Sequence, residues 1–200
     1  MIATIDGVFA ENAREAGQST HLVFADGGTA GYGETFERAN RLAAILIEAG
    51  IEPGDRVACL MGNSRALYEF FIGCSLAGVV AVPINTLSTA RETKGLFADC
   101  RPKGIVAQSS LRAALPDEML TGEVLVRLLC DGDGAPRGAR WRDYEAALGE
   151  APAGPVPSRS RPQSAAMIVY SSGTTGAPKG IVLGQRQLLA NARMVIDALG

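Results

Sequence analysis

The sequence predicts an α/β fold, layered, with a largely parallel sheet flanked by helices, and three observations carry that expectation. Apolar runs such as residues 79–82 are continuous rather than alternating, as strands buried on both faces require. Between such runs lie segments with apolar residues three and four apart, so that strand, helix and strand alternate along the chain. Two hundred residues, 47% of them hydrophobic, are enough to bury one sizeable core.

Taken in order, residues 6–16 carry Val8, Phe9 and Ala13 among polar neighbours and predict a short amphipathic segment packed on the outside. Residues 21–25 and 29–32 predict a hairpin, with Asp26-Gly27-Gly28 as its tight turn. The strongest helix follows. Phe36, Ala39, Leu42, Leu46 and Ala49 share a face, Glu34 with Arg38 and Glu37 with Arg41 are spaced as i,i+4 pairs, and Gly50 is placed to end it. Glu52-Pro53-Gly54-Asp55 predicts a turn, and residues 56–61 a strand. Gly62-Asn63-Ser64 turns the chain into a second helix marked by Leu67, Phe70, Phe71, Cys74 and Ala77, which stops at Gly78.

A strand over 79–82 ends at Pro83. A helix over 89–100, a strand over 104–108, a weak helix over 111–120 interrupted by Pro116, and a strand over 124–129 come next. Residues 130–138 read as a surface loop, and residues 141–148 as a short helix with Trp141, Tyr144 and Leu148 on one packing face. Residues 149–164, with Pro152, Pro155, Pro157 and Pro162 beside Arg159 and Arg161, form a solvated connector. It leads to an apolar strand at 165–169. Leu188, Ala192, Val195 and Leu199 then mark a final amphipathic helix.

Composition narrows the functional classes. Nineteen Lys+Arg against 21 Asp+Glu give a net charge of −2 with no basic block, which argues against a nucleic-acid partner. The longest apolar passage, residues 70–84, is broken by Gly73, Gly78 and Pro83, so no transmembrane segment is expected, and the first residues lack the charge pattern of a signal peptide. Cys59, Cys74, Cys100 and Cys130 have no Cys-x-x-Cys spacing and no adjacent histidine, so they are expected to be reduced core thiols in a cytoplasmic protein, with no metal site. His21 is the one histidine, placed at the edge of a strand. It leaves little basis for a Ser-His-Asp hydrolase.

The chemistry concentrates in residues 170–180, Tyr-Ser-Ser-Gly-Thr-Thr-Gly-Ala-Pro-Lys-Gly. Three glycines let backbone N–H groups turn inward around an anion, four hydroxyls add donors, and Lys179 supplies the one full positive charge. A flexible linker is the plain alternative, but this run leaves one apolar strand and re-enters another within a dozen residues. A P-loop fails on spacing. That motif ends in Gly-Lys-Ser/Thr opening a helix, whereas Lys179 is followed by Gly180 and the β-branched Ile181-Val182, so the loop should join two strands.

At these residues the chain resembles the adenylate-forming enzymes, a family that includes acyl-CoA synthetases and peptide-synthetase adenylation domains. Residues 170–180 reproduce that family's signature loop without a gap. Gly50-Ile51-Glu52-Pro53-Gly54-Asp55-Arg56-Val57 and Ala77-Gly78-Val79-Val80-Ala81-Val82-Pro83-Ile84-Asn85 are similar to two further elements, the Pro-Ile-Asn ending leaning toward acyl-CoA synthetases. One departure stands out: where the family often has Thr-His after the loop, Gly184-Gln185 stand here.

The resemblance implies an ATP- and coenzyme A-dependent ligase that joins a carboxylic acid to AMP and transfers it to the thiol. It implies that Ser171, Ser172, Gly173, Thr174, Thr175, Gly176 and Lys179 hold the ATP phosphates, with Mg²⁺ arriving as the ATP complex and no protein metal ligand to name. It further implies that residues 1–200 are the N-terminal part of such a domain. The family's reacting-phosphate lysine and C-terminal domain would then be absent, the chain would be truncated or split, and an incomplete sheet edge would favour association. Two other classes stay open at this point, a nucleotide-binding module without catalysis and a P-loop-like phosphohydrolase.

Overall fold

The computed structural model describes residues 3–115, 118, 120, 123–131, 140–171 and 179–199. A helix α1 (Ile5–Ala16) and an antiparallel hairpin, β1 (Thr20–Val23) and β2 (Thr29–Gly31), precede α2 (Tyr32–Glu48). Then β3 (Arg56–Leu60), α3 (Arg65–Ala77), β4 (Val80–Pro83), α4 (Ala90–Cys100) and β5 (Gly104–Gln108) alternate. A short 3₁₀ turn leads to β6 (Val126–Cys130), β7 (Arg142–Asp143) and α5 (Tyr144–Glu150), and the chain closes with β8 (Ala165–Ser171), β9 (Lys179–Gly184) and α6 (Gln185–Leu199). The main sheet runs β7-β6-β5-β3-β4-β8-β9, parallel throughout except that β9 returns antiparallel to β8. The layered, largely parallel α/β fold is therefore present.

Strand alternation divides the core in two. Val57, Cys59, Ala81, Val106 and Leu128 face α2, α3 and α5, whereas Ala58, Leu60, Val82, Ile105 and Leu129 face α4 and the 3₁₀ turn. Both faces are covered, which is why the strands read as continuous apolar runs. The turn at 52–55 works through Gly54, whose φ of 89° a side chain would strain. Gly78 does the same at the C-terminus of α3, with φ 73° and Arg159 O only 2.9 Å from where a Cβ would sit. Thr89 and Glu92 form a capping box at the start of α4, each side chain meeting the other's backbone N–H.

Several expectations are corrected. Glu37 and Arg41 pair at 3.0 Å as spaced, but Arg38 turns away from Glu34 to Glu69 and Glu145, and Glu34 pairs with Arg65 at 2.6 Å. The helical spacing supported the pair, yet a buried carboxylate on α3 offers Arg38 the better partner. The short helix begins at Tyr144 rather than Trp141, because Arg142–Asp143 pairs with β6; Trp141 consequently joins the α4 face while Tyr144 and Leu148 join the other. Where a weak helix was expected from 111, a 3₁₀ turn, Ser109–Ala114, is found, and residues 116, 117 and 119 of that range lie outside the described residues. The connector is mostly exposed but tied down: Val156 N–H donates to Asn40 Oδ1 at 2.7 Å, and Arg159 N–H to Leu76 O at 2.8 Å.

All four cysteines are buried free thiols. Burial pushes the Cys100 thiol up to about 11 and raises the other three as well, so little thiolate exists near neutrality. A thiol reagent is expected to react slowly with the folded chain and to titrate four groups once it is unfolded without reductant. Fewer than four would contradict this assignment.

Candidate functional site

The site is positioned by a divergence at the carboxyl edge of the sheet. Strands β3 and β4 are parallel neighbours, yet α3 leaves toward one face and α4 toward the other. The turns that follow them, residues 61–64 and 84–89, therefore lead to opposite faces, the kind of switch point at which open α/β sheets bind ligands. Asn85 stands in the second of these turns, its Oδ1 accepting from Leu87 N–H at 3.0 Å. Strand β8 lies beside β4 with Met167 opposite Ala81, so its carboxyl end, Ser171, opens on the same edge.

Of the seven residues expected to hold phosphate, the structure places two. Ser171 ends β8 and Lys179 begins β9, directly opposite each other in the ladder, and both are exposed. A hydroxyl and an ammonium thus face one another across the mouth of the hairpin, a pairing that suits a phosphate. Ser172, Gly173, Thr174, Thr175 and Gly176 lie outside the described residues. The expectation that two strands flank the loop holds.

Spacing did not reveal what braces the mouth. The Tyr170 hydroxyl donates to the Asp99 carboxylate of α4, and burial together with that carboxylate raises the phenol well above its ordinary range. A Tyr one residue before Ser171 was visible in the sequence; its partner 71 positions away was not.

The other motif residues turn out to be scaffold. Arg56 donates from Nε to Cys100 O at 2.7 Å and from a terminal nitrogen to Arg101 O at 3.1 Å, closing the carbonyl end of α4. Asp55 closes its own turn on Glu52 N–H at 3.0 Å, while its carbonyl accepts from Val80 N–H at 2.7 Å. Arg159 sits against Gly78, before β4 and hence at the amino edge, remote from the hairpin mouth. At that edge Gln185 is fully buried: Ile5 N–H donates to its Oε1 at 2.9 Å, and its Nε2 donates to Ser75 Oγ at 3.1 Å and Ser160 Oγ at 3.2 Å. The departure noted after the loop is thus a knot joining α1, α3, the connector and α6. Among the described residues no group of three or more His, Cys, Asp and Glu is arranged to hold a metal, and no helix is long and apolar enough to cross a membrane.

Residues 9–199 match the family described as AMP-binding enzyme. The chain is 30% identical over 172 residues to the fatty acid–[acyl-carrier-protein] ligase ScoC of Streptomyces coeruleorubidus, covering 86% of this chain and 31% of that protein. It is 32% identical over 169 residues to the indoleacetate–CoA ligase of Aromatoleum aromaticum, covering 83% and 32%. The solved structure of ATP-bound MatB from Rhodopseudomonas palustris superposes with a TM-score of 0.83 at 26% identity, over 98% of this chain and 38% of that one. The chain thus spans about a third of the length of the curated relatives it matches.

Proposed function

The chain belongs to the AMP-binding enzyme family, and from that premise we propose that its carboxyl-edge hairpin holds the phosphates of ATP in a carboxylic acid ligase reaction. The carboxylate oxygen attacks the α-phosphorus, the bond to the β-phosphate breaks, and pyrophosphate leaves with the electron pair. Coenzyme A is the proposed acceptor: its sulfur attacks the acyl carbon and AMP departs. The observation that carries the reading is the Ser171–Lys179 pair across the hairpin mouth, at the carboxyl edge of the sheet. Ligase names among the relatives and an ATP-bound neighbour support it.

In this reading the chain's own groups position and neutralise. Ser171, Ser172, Thr174 and Thr175 offer hydroxyls, and Gly173 and Gly176 bring backbone N–H groups close to the β- and γ-phosphates. Lys179 offsets the charge that grows on the departing pyrophosphate. ATP carries its own Mg²⁺, which screens the same oxygens when bound.

Replacing Lys179 by alanine is expected to weaken ATP binding about tenfold, the lower end for a charge-assisted hydrogen bond because the side chain is exposed. Calorimetric titration reads the affinity, and a melting curve shows the fold intact. Unchanged affinity in both Lys179→Ala and Thr174→Ala removes the loop from the site. Carboxylate-dependent exchange of pyrophosphate into ATP distinguishes the ligase from a module that only binds nucleotide, and release of inorganic phosphate would mark a phosphohydrolase.

A further inference from the structure

One rung before the Ser171–Lys179 pair, Tyr170 stands directly opposite Gly180 in the antiparallel ladder. Glycine is the softest residue a strand can hold, and it gives its partner no side chain to pack on. Here the tyrosine makes up for it. A Cβ on Gly180 would lie 3.0 Å from Ile168 Cγ2 and 3.3 and 3.4 Å from the Tyr170 ring carbons Cε1 and Cζ, so the ring and Ile168 fill the space that the missing side chain leaves. Both pack, partly buried, on the α4 side of the sheet. The next rung alternates, so Ser171 and Lys179 face the other way and are exposed.

The far end of the ring is fixed from α4. The Tyr170 hydroxyl donates to Asp99, the penultimate residue of that helix. A carboxylate in the last turn opposes the helix dipole, and this turn carries no basic residue to offset it, so the helix alone gives no reason for an aspartate there. Burial, and then the hydrogen bond to this carboxylate, raise the phenol well above its ordinary range, so the hydroxyl remains a donor throughout the neutral range. We propose, on the reading of the hairpin as an ATP-phosphate site, that Asp99 and Tyr170 are positioning residues for it. Asp99 holds the ring across Gly180, the ring fixes the backbone of β9 at that point, and the ammonium of Lys179, one residue earlier, is thereby aimed at the phosphates. Asp99 would repel those phosphates if it met them directly, which argues against a binding role of its own.

The bond can be cut from either side without emptying the core, because Asp99 is exposed and Tyr170→Phe keeps the ring while removing the donor. Asp99→Ala and Tyr170→Phe are each expected to raise the ATP dissociation constant about fivefold in calorimetric titration, the worth of one hydrogen bond. Asp99→Asn keeps an oxygen that accepts from the same hydroxyl and is expected to stay within about twofold of the parent chain. The double variant decides how the brace acts. Tyr170→Phe with Lys179→Ala should bind ATP no more weakly than Lys179→Ala alone, because the ring works through the lysine, whereas a merely structural role lowers the melting temperature and lets the two losses multiply. Multiplying losses, parental affinity in Asp99→Ala and Tyr170→Phe, or an Asp99→Asn as weak as Asp99→Ala overturns the positioning and leaves the phosphate reading standing. Parental affinity in Lys179→Ala also overturns the positioning, and parental affinity in Thr174→Ala as well removes the phosphate reading itself.

Discussion

Glu69→Ala is expected to destabilise the chain by about 3 kcal/mol, at the lower end of the cost of removing one partner from a buried ion pair. Glu69 is fully buried on α3. Its carboxylate accepts from Arg38 Nε at 2.5 Å, Arg65 Nε at 2.8 Å and the Tyr144 hydroxyl at 2.8 Å, and so joins α2, α3 and α5 at one point. The lower end applies because Arg38 keeps Glu145 at 2.6 Å and Arg65 keeps Glu34 at 2.6 Å, each arginine being partly exposed. Tyr144 has no such recourse. Its hydroxyl would stay buried, its pKa already raised by burial and by Glu69, with its acceptor gone. Urea unfolding measures the loss, and Glu69→Gln should recover part of it by restoring an acceptor of the same shape. A loss below about 1 kcal/mol in the alanine variant would show that the cluster contributes no more than an exposed ion pair.

Gln185→Ala has the next largest expected effect, about 2–3 kcal/mol, because Ile5 N–H loses its acceptor and the Ser75 and Ser160 hydroxyls lose a donor in one buried step. Asp6 and Ser75 remain bonded to each other at 2.7 Å, so α3 keeps part of the knot, and the damage should concentrate at the start of α1. Hydrogen exchange separates this outcome from general loosening: α1 amides should exchange faster, those of β3 and β5 only in step with global stability. Gln185→Glu should be worse than alanine, since it buries a second carboxylate near Asp6, which is 3% exposed. Equal protection of α1 in the alanine variant and the parent chain would mean that the knot does not hold the helix.

The expectations that succeeded rest on local physics. Helices α2 and α3 were legible because their apolar spacing, Ser64 and the glycines at 50 and 78 all agree. The hairpin around the loop was legible because Pro178 and the β-branched residues after Lys179 rule out a helix there. What spacing did not disclose depends on distant partners. Arg38 has a suitable carboxylate four residues away and takes others 31 and 107 residues away, and the mate of Tyr170 lies on another helix. Trp141 failed for a related reason: helical spacing placed it with Tyr144, but two residues of edge strand between them send the pair to opposite faces. Of the candidate site, the flanking strands were legible in the sequence and the bracing of Tyr170 came from the fold alone.

The order of the strands also bears on how the chain reaches this state. Strands β3, β4 and β5 are close in sequence, pair directly with β3 at the centre and feed both apolar clusters, so they can collapse together early. Strand β8 must return to β4 across 86 residues, with Ala81 meeting Met167, after α4, β5, β6 and α5 have been placed. Closing so long a loop delays the contact relative to local ones. The β8–β9 hairpin should therefore dock last in refolding and its strands exchange their amides first under native conditions.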